Sequence, residues 1–300
     1  MATSAAAITP RWVASNLPPR PAHAHKGDFG RVLVVGGSIE YPGTAVLTGL
    51  GAMRAGAGVV RVAAADSVVA RLSSAIPELT WLAIDEEAPG LIAPGGWRRV
   101  TTEAAASDAV VIGPGLGRQP ATHRRTRQLI TSLAVPAVVD ADGLNALAEG
   151  SRWWEGPRAP LVLTPHPGEF ARLTGETAPD ADDDDGRAAA AAAAAVRWGQ
   201  VVVLKGARTV VAEPNGEVLR SEVSTPALAT AGSGDVLAGA IGAFLAAGAT
   251  AMVAAACGVA VHGAAGLLAE ERIGSTGTMA RDLAGLLPAA ITQLRRDPGR

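Results

Sequence analysis

Cysteine occurs once in the 300 residues, as Cys257. That excludes an internal disulfide framework and a thiolate metal cluster, and a place in an apolar run suits a buried, unreactive thiol. Aromatic residues make up only 3% of the chain against 48% apolar residues in all, so the core has to be built from Val, Leu, Ile and Ala. The formal net charge is −2, which gives no electrostatic case for nucleic acid or an anionic membrane surface as a partner. Residues 1–30 lack the apolar core of a signal peptide. Two nucleotide motifs are missing as well. GPGLGR (113–118) puts Arg118 where a dinucleotide fingerprint needs Gly, and no GxxxxGK[ST] occurs. Of 26 basic residues only two are Lys, Lys26 and Lys205, and each precedes Gly. In a chain so biased towards Arg, a retained Lys points to a site that needs a compact ammonium.

What is present is an alternation. RVLVVGG (31–37), VVRVAA (59–64), AVVIG (109–113), PAVVD (136–140), LVLT (161–164) and VVVLKG (201–206) read as strands. Residues 43–55, 120–134 and 185–198 read as helices between them. This predicts an α/β fold with a mainly parallel sheet and helices on both faces. Two short runs around Pro214-Asn215-Gly216 predict an edge hairpin over 209–221, and the chain is expected to be helical from there on. Residues 236–269 carry no charge and are long enough to span a bilayer. Their Ala and Gly content, His262 and a break at 248–250 predict instead two packed helices of a soluble, cytoplasmic protein. The acidic run DADDDD (180–185) is expected to be a solvated loop and the first turn of a helix rather than a metal site. No linker or repeat divides the chain, so a lead-in over 1–24 and a single domain over 25–296 are expected.

Open α/β sheets bind ligands beyond the carboxyl ends of their strands. Gly36-Gly37-Ser38, Gly113–Gly117, Asp140, His166 and Lys205 all fall there. Asp140 and Asn145 are pocket candidates, while Asp142 is expected to cap the helix after it. Further on, the turn Gly232-Ser233-Gly234 leads into Asp235 and an apolar run. Two readings fit. Asp235 caps a helix, or the turn and helix N-terminus bind a phosphate and Asp235 serves as a base beside it.

Eight segments then converge, in order, on one family: HKGDFGRVLVVGGS (25–38), YPGTAVL (41–47), RAGAGVVRVA (54–63), VIGPGLG (111–117), VDADGLNAL (139–147), LTPHPGEFARLTG (163–175), VVLKGARTVV (202–211) and ATAGSGDVLAG (229–239). Over residues 25–290 the chain resembles the ADP/ATP-dependent NAD(P)H-hydrate dehydratases of the ribokinase-like superfamily, in their stand-alone form. The resemblance implies a three-layer α/β/α fold. It also implies a reaction in which ADP (or ATP), with Mg²⁺, phosphorylates the C6 hydroxyl of hydrated NADH or NADPH (NADHX or NADPHX). Phosphate then leaves and NAD(P)H is restored. A functional link to an NAD(P)H-hydrate epimerase and a homotetramer are implied too. Residue by residue, Asp235 would be the base, with Gly232, Ser233 and Gly234 holding the phosphate oxygens. Lys205, Gly206, Ala207, Arg208 and Thr209 would contact the nucleotide. Thr44, Ala45, Gly117 and His166 would contact the hydrate, and Glu169 would hold metal-bound water. Competing readings are a vitamin or sugar kinase of the same superfamily and a non-catalytic nucleotide sensor. HPGE (166–169) in place of the sugar kinases' N-x-x-E weighs against the first, and an intact Asp235 against the second.

Overall fold

A computed structural model of the chain describes residues 5–74 and 76–296. Its strands are β1 (Ala6–Ala7), β2 (Arg31–Val35), β3 (Val59–Ala65), β4 (Thr80–Ile84), β5 (Glu86–Ala88), β6 (Leu91–Ile92), β7 (Ala109–Ile112), β8 (Ala137–Val139), β9 (Leu161–Leu163), β10 (Val201–Leu204), β11 (Val210–Ala212) and β12 (Val218–Arg220). Its helices are α1 (Pro10–Asn16), α2 (Pro42–Ala55), α3 (Asp66–Leu72), α4 (Gly96–Ala105), α5 (Pro120–Ser132), α6 (Asp142–Ala148), α7 (Pro167–Thr174), α8 (Asp184–Trp198), α9 (Ser233–Ala246), α10 (Ala251–Arg272) and α11 (Ala280–Arg296).

Strands β7 to β10 are apolar at every position because both sheet faces are covered. Val32 and Val34 of β2 join one core, and Leu33 and Val35 the other. The same alternation recurs in β7, with Val111 on one side and Val110 and Ile112 on the other. Helices α1, α2 and α9–α11 cover the first face, and α3–α8 the second. Ten strands form the sheet, in the order β1-β12-β11-β10-β9-β8-β7-β2-β3-β4. Within it only β11 opposes its neighbours; β11 and β12 form the expected hairpin, but β1 pairs outside β12, so the hairpin is not the sheet edge. A separate two-stranded hairpin, β5 and β6, lies outside the sheet.

Helix α9 is seated by glycine contacts. A methyl group on Gly239 would overlap the Thr48 carbonyl oxygen, and one on Gly51 would overlap that of Val236. Helices α2 and α9 therefore meet backbone to backbone, and the N-terminus of α9 is fixed over the sheet. The predicted break at 248–250 separates α9 from α10. Helix α10 is long and apolar enough to cross a membrane, but 78% of its apolar window is buried inside the body.

The lead-in differs from expectation over its described part. Thr9 Oγ1 accepts from Trp12 N–H at 3.2 Å and caps α1. Ile8, Val13 and Leu17 enter the same core as α9 and α10, and β1 pairs in parallel with β12. Residues 5–17 are thus part of the body, held there by these buried apolar side chains.

The backbone contact of α2 with α9 has a measurable sign. Gly239→Ala should destabilise the protein by about 1–3 kcal/mol through overpacking. Gly285→Ala on α11, where a new methyl group meets nothing, should stabilise it by about 0.5–1 kcal/mol. Denaturant unfolding of both variants checks the pair; two effects of the same sign would refute the contact.

Candidate active site

The chain leaves β2 for β3 and β4 on one side, then returns to β7 on the other. Such a reversal opens a crevice at the carboxyl ends of the two flanking strands. Its walls are the loops Gly36–Ser38 and Gly113–Gly117. Gly37 N–H donates to Pro114 O at 2.8 Å, and Gly113 N–H to Val35 O at 3.1 Å. Gly37 and Gly117 hold φ of 81° and 80°, a region other residues avoid. Thr44 Oγ1 lies 2.8 Å from Tyr41 O and 3.2 Å from Pro114 O, so its hydroxyl ties α2 to the second loop. Ala45 is fully buried against Gly37. Its methyl group faces the core, because the helix turns that position inward. Asp142 also departs from its expected role. It makes no cap bond to its own helix; its Oδ2 accepts from Gly117 N–H at 2.9 Å and its Oδ1 from Asn145 Nδ2 at 3.2 Å. Just before it, Ala141 sits at φ 50°, a strained backbone of the kind found beside functional groups.

Next to the crevice, strands β8, β9 and β10 deliver four ionisable groups to one place. Asp140, 2% exposed, accepts from Lys205 Nζ at 2.8 Å and from Thr164 Oγ1 at 2.7 Å. Lys205 Nζ also lies 3.9 Å from Glu169 Oε2. That carboxylate accepts from His166 N–H at 2.9 Å, while His166 Nδ1 accepts from Gly168 N–H at 3.0 Å. This reciprocal pair is a capping box for α7, so the HPGE stretch does open a helix rigidly while also supplying a buried carboxylate. A methyl group on Gly234 would stand 3.3 Å from Lys205 Nζ, so the ammonium lies under the N-terminus of α9. Asp235, in the first turn of α9, is 8% exposed.

Three carboxylates thus face one ammonium. Burial, with repulsion from Asp140 and Glu169, pushes the Asp235 carboxyl up to about 8 against the pull of Lys205. Burial likewise holds Glu169 up at about 7. For Lys205, burial disfavours the ammonium, but Asp140 and Glu169 outweigh it and the pKa rises. Burial, together with the charges of Lys205 and Arg172, lowers the His166 imidazole.

On the other side of Lys205 opens a cleft of about 730 Å³. The loop from Lys205 to Thr209 forms one wall, and Ser233, Gly234 and His262 form another. Gly232 takes φ 85° and starts α9, whereas Ala231 keeps an ordinary backbone. Ser233 Oγ lies 3.1 Å from His262 Nε2. Burial pushes that imidazole down to about 4, so it is neutral. Arg208 is turned to Asp184 of the acidic run. No cluster of three or more metal-ligating side chains occurs among the described residues. Lys26, by contrast, sits exposed before the start of β2, at the opposite edge of the sheet. Sequence reasoning missed Thr164 and the roles of His262 and of Arg187 on α8. His262 is a lone polar residue in an Ala-rich run, and Arg187 is a single cation between the acidic run and an Ala tract; those were the available signals.

The state of Asp235 has a sign in stability. The carboxyl's pKa is about 8 in the folded protein against an ordinary 3.8. The folded state therefore binds the proton more tightly. Its contribution to stability is complete below the lower value and is lost as pH rises to the upper one, by about 1.4 kcal/mol per pH unit at most. Asp235→Asn should match the parent in acid and become more stable than it towards alkaline pH, by a few kcal/mol on the order of. Urea unfolding across pH checks this; a difference independent of pH would contradict the buried carboxyl.

Comparison with known proteins places this geometry. A family model described as NAD(P)H-hydrate dehydratase matches residues 32–289. The chain is similar to the ADP-dependent (S)-NAD(P)H-hydrate dehydratase of Xanthomonas campestris, at 38% identity over 94% of this chain and 96% of that protein. It is 43% identical to the bifunctional NAD(P)H-hydrate repair enzyme of Moorella thermoacetica over 97% of its own residues, but spans only 54% of that longer protein. Among solved structures it is similar to the ADP/ATP-dependent NAD(P)H-hydrate dehydratase of Bacillus subtilis, crystallised with ATP and Mg²⁺. The TM-score is 0.82 and the identity 31%, over 98% of this chain and all of that one. The chain belongs to the NAD(P)H-hydrate dehydratase family and has its ribokinase-like fold.

Proposed function

We propose that this protein restores NADH and NADPH from their C6 hydrates with ADP as the phosphoryl donor. The observation that carries the reading is the meeting of Asp235, Lys205 and the Gly232–Gly234 turn at one point, between a crevice and a cleft. The cleft suits the nucleotide and the crevice the hydrate, so the reacting phosphoryl group falls between them.

Hydroxide is a poor leaving group and phosphate a good one. Asp235 accepts the proton of the C6 hydroxyl as its oxygen attacks the terminal phosphoryl group of ADP, and AMP departs. The amides of Ser233 and Gly234 and the Lys205 ammonium offset charge on the phosphoryl oxygens. The C6–O bond then breaks, the ring nitrogen's lone pair assisting. Inorganic phosphate leaves, and loss of the C5 proton regenerates the dihydropyridine. Glu169 holds its place through the His166 amide, and the His166 ring, half exposed at the mouth, is positioned to contact the hydrate.

The residues fit Mg²⁺ in one way. The surplus of carboxylates over cations around Lys205 leaves Glu169 and Asp140 suited to hold its waters, since this ion keeps several and binds through one or two carboxylates plus phosphates. When bound it supplies charge neutralisation for the phosphates. The bifunctional names of longer relatives support a second repair activity working beside this one, which the resemblance gives as an epimerase.

Hydrated NADH lacks the near-ultraviolet band of NADH, so the assay reads the product directly. The band should return only with Mg²⁺ and ADP or ATP present, one phosphate being released per turnover and ADP ending as AMP. The pH profile of kcat/KM should rise with a midpoint near the Asp235 value of about 8, and Asp235→Asn should be inactive at every pH. Phosphate retained on a sugar or vitamin, with no return of the band, would make the protein a kinase instead.

A further inference from the structure

Arg187 stands in the first turns of α8, just before its alanine tract, and is only 2% exposed. Burying a guanidinium is costly unless its donors are met. Here backbone carbonyls meet them. Nη2 reaches Leu204 O and Lys205 O, each at 3.2 Å, and Nη1 reaches Ala181 O at 3.3 Å. Those first two carbonyls belong to the end of β10 and to the very residue whose side chain enters the charged cluster. Gly206 lies flat on the guanidinium: any side chain there would collide with Nη1, Nη2 and Cζ. The loop in front is short and closed on itself, Thr209 Oγ1 donating to Gly206 O at 3.1 Å. Arg208 is held to Asp184 in the first turn of the same helix.

We propose that Arg187 is a positioning residue for the nucleotide. Its Nη2 fixes two successive carbonyls while Nη1 ties the guanidinium to Ala181 O, just ahead of its own helix. This sets the direction in which Lys205, Gly206 and Ala207 face the phosphates of a nucleoside diphosphate in the cleft. This rests on the nucleotide reading given above. Lysine cannot replace it: one ammonium has no flat face for Gly206 and no second nitrogen to hold Ala181 O while the first holds Leu204 O and Lys205 O. A buried positive charge behind the loop also favours an anion in front of it, where the low dielectric leaves it weakly screened. A helix staple with no part in binding would make a different prediction. Its loss would lower stability and leave nucleotide affinity per folded molecule unchanged.

Calorimetric titration of the full chain with ADP separates the two, each variant first shown to unfold cooperatively. Arg187→Met should raise the Kd for ADP by about ten- to a hundredfold. Arg187→Lys, which keeps the charge and most of the volume, should raise it by at least about fivefold; it carries the test if Arg187→Met does not fold. The KM for hydrated NADH at saturating ADP should stay within about twofold of the parent, and amide exchange should quicken at 206–209 without a matching change elsewhere. A folded Arg187→Lys protein with the parent's ADP affinity overturns the proposal, as does equal weakening of ADP and hydrate. A parent protein that binds no ADP overturns the nucleotide reading, and this proposal with it.

Discussion

The ion pair of Lys205 with Asp140, 2.8 Å long, is the contact on which the site depends. It joins the ends of β8 and β10 across β9, where Thr164 supplies a second bond to the same carboxylate oxygen. A buried pair of this kind is weak evidence for stability, since desolvation offsets much of the attraction. Its value here is placement. It draws the ammonium beneath the N-terminus of α9, where positive charge is unwelcome to a helix dipole, and only a surplus of carboxylates keeps it there. Asp140, Glu169 and Asp235 are that surplus, and burial first, then their mutual repulsion, raises the last two.

The backbone makes this placement possible. Glycines let α9 rest directly on α2, so the helix carrying Asp235 stands close to the loops of the crevice. Gly234 leaves room for the ammonium, and Gly206 lets the loop lie against Arg187. A side chain at any of these positions would push apart two walls that have to contact one phosphoryl group. Residues that look like loop filler in sequence are thus what lets charges from separate elements approach.

The sheet was legible because each central strand is a short unbroken apolar run, and the site was legible as the residues just beyond those runs. Elements without that contrast were missed: β4 mixes Thr and Trp with its apolar residues, and α1 sits in a proline-rich segment. Asp235 and Lys205 stood out through a glycine turn and through scarcity. Their partners did not. Nothing near Asp140 in the chain says that an ammonium 65 positions later will reach it, and Asp142 looked like a cap until the Gly117 amide came to meet it from another loop. At Ala45, sequence locates a helix start but not which side of its first turn faces inward, and the side chain is buried.

Two cations stand back to back at the end of β10, and they do different work. Lys205 is partly exposed to the cleft and can exchange partners, since its single ammonium bonds equally well to carboxylate or phosphate oxygen. Arg187 is sealed behind the loop and bonded to the carbonyls of Leu204 and Lys205 at the end of β10. An ammonium suits the first place and a planar fork the second. The scarcity of Lys in this chain thus follows a physical division: Lys205 supplies the charge that meets the ligand, and Arg187 supplies the shape that aims it.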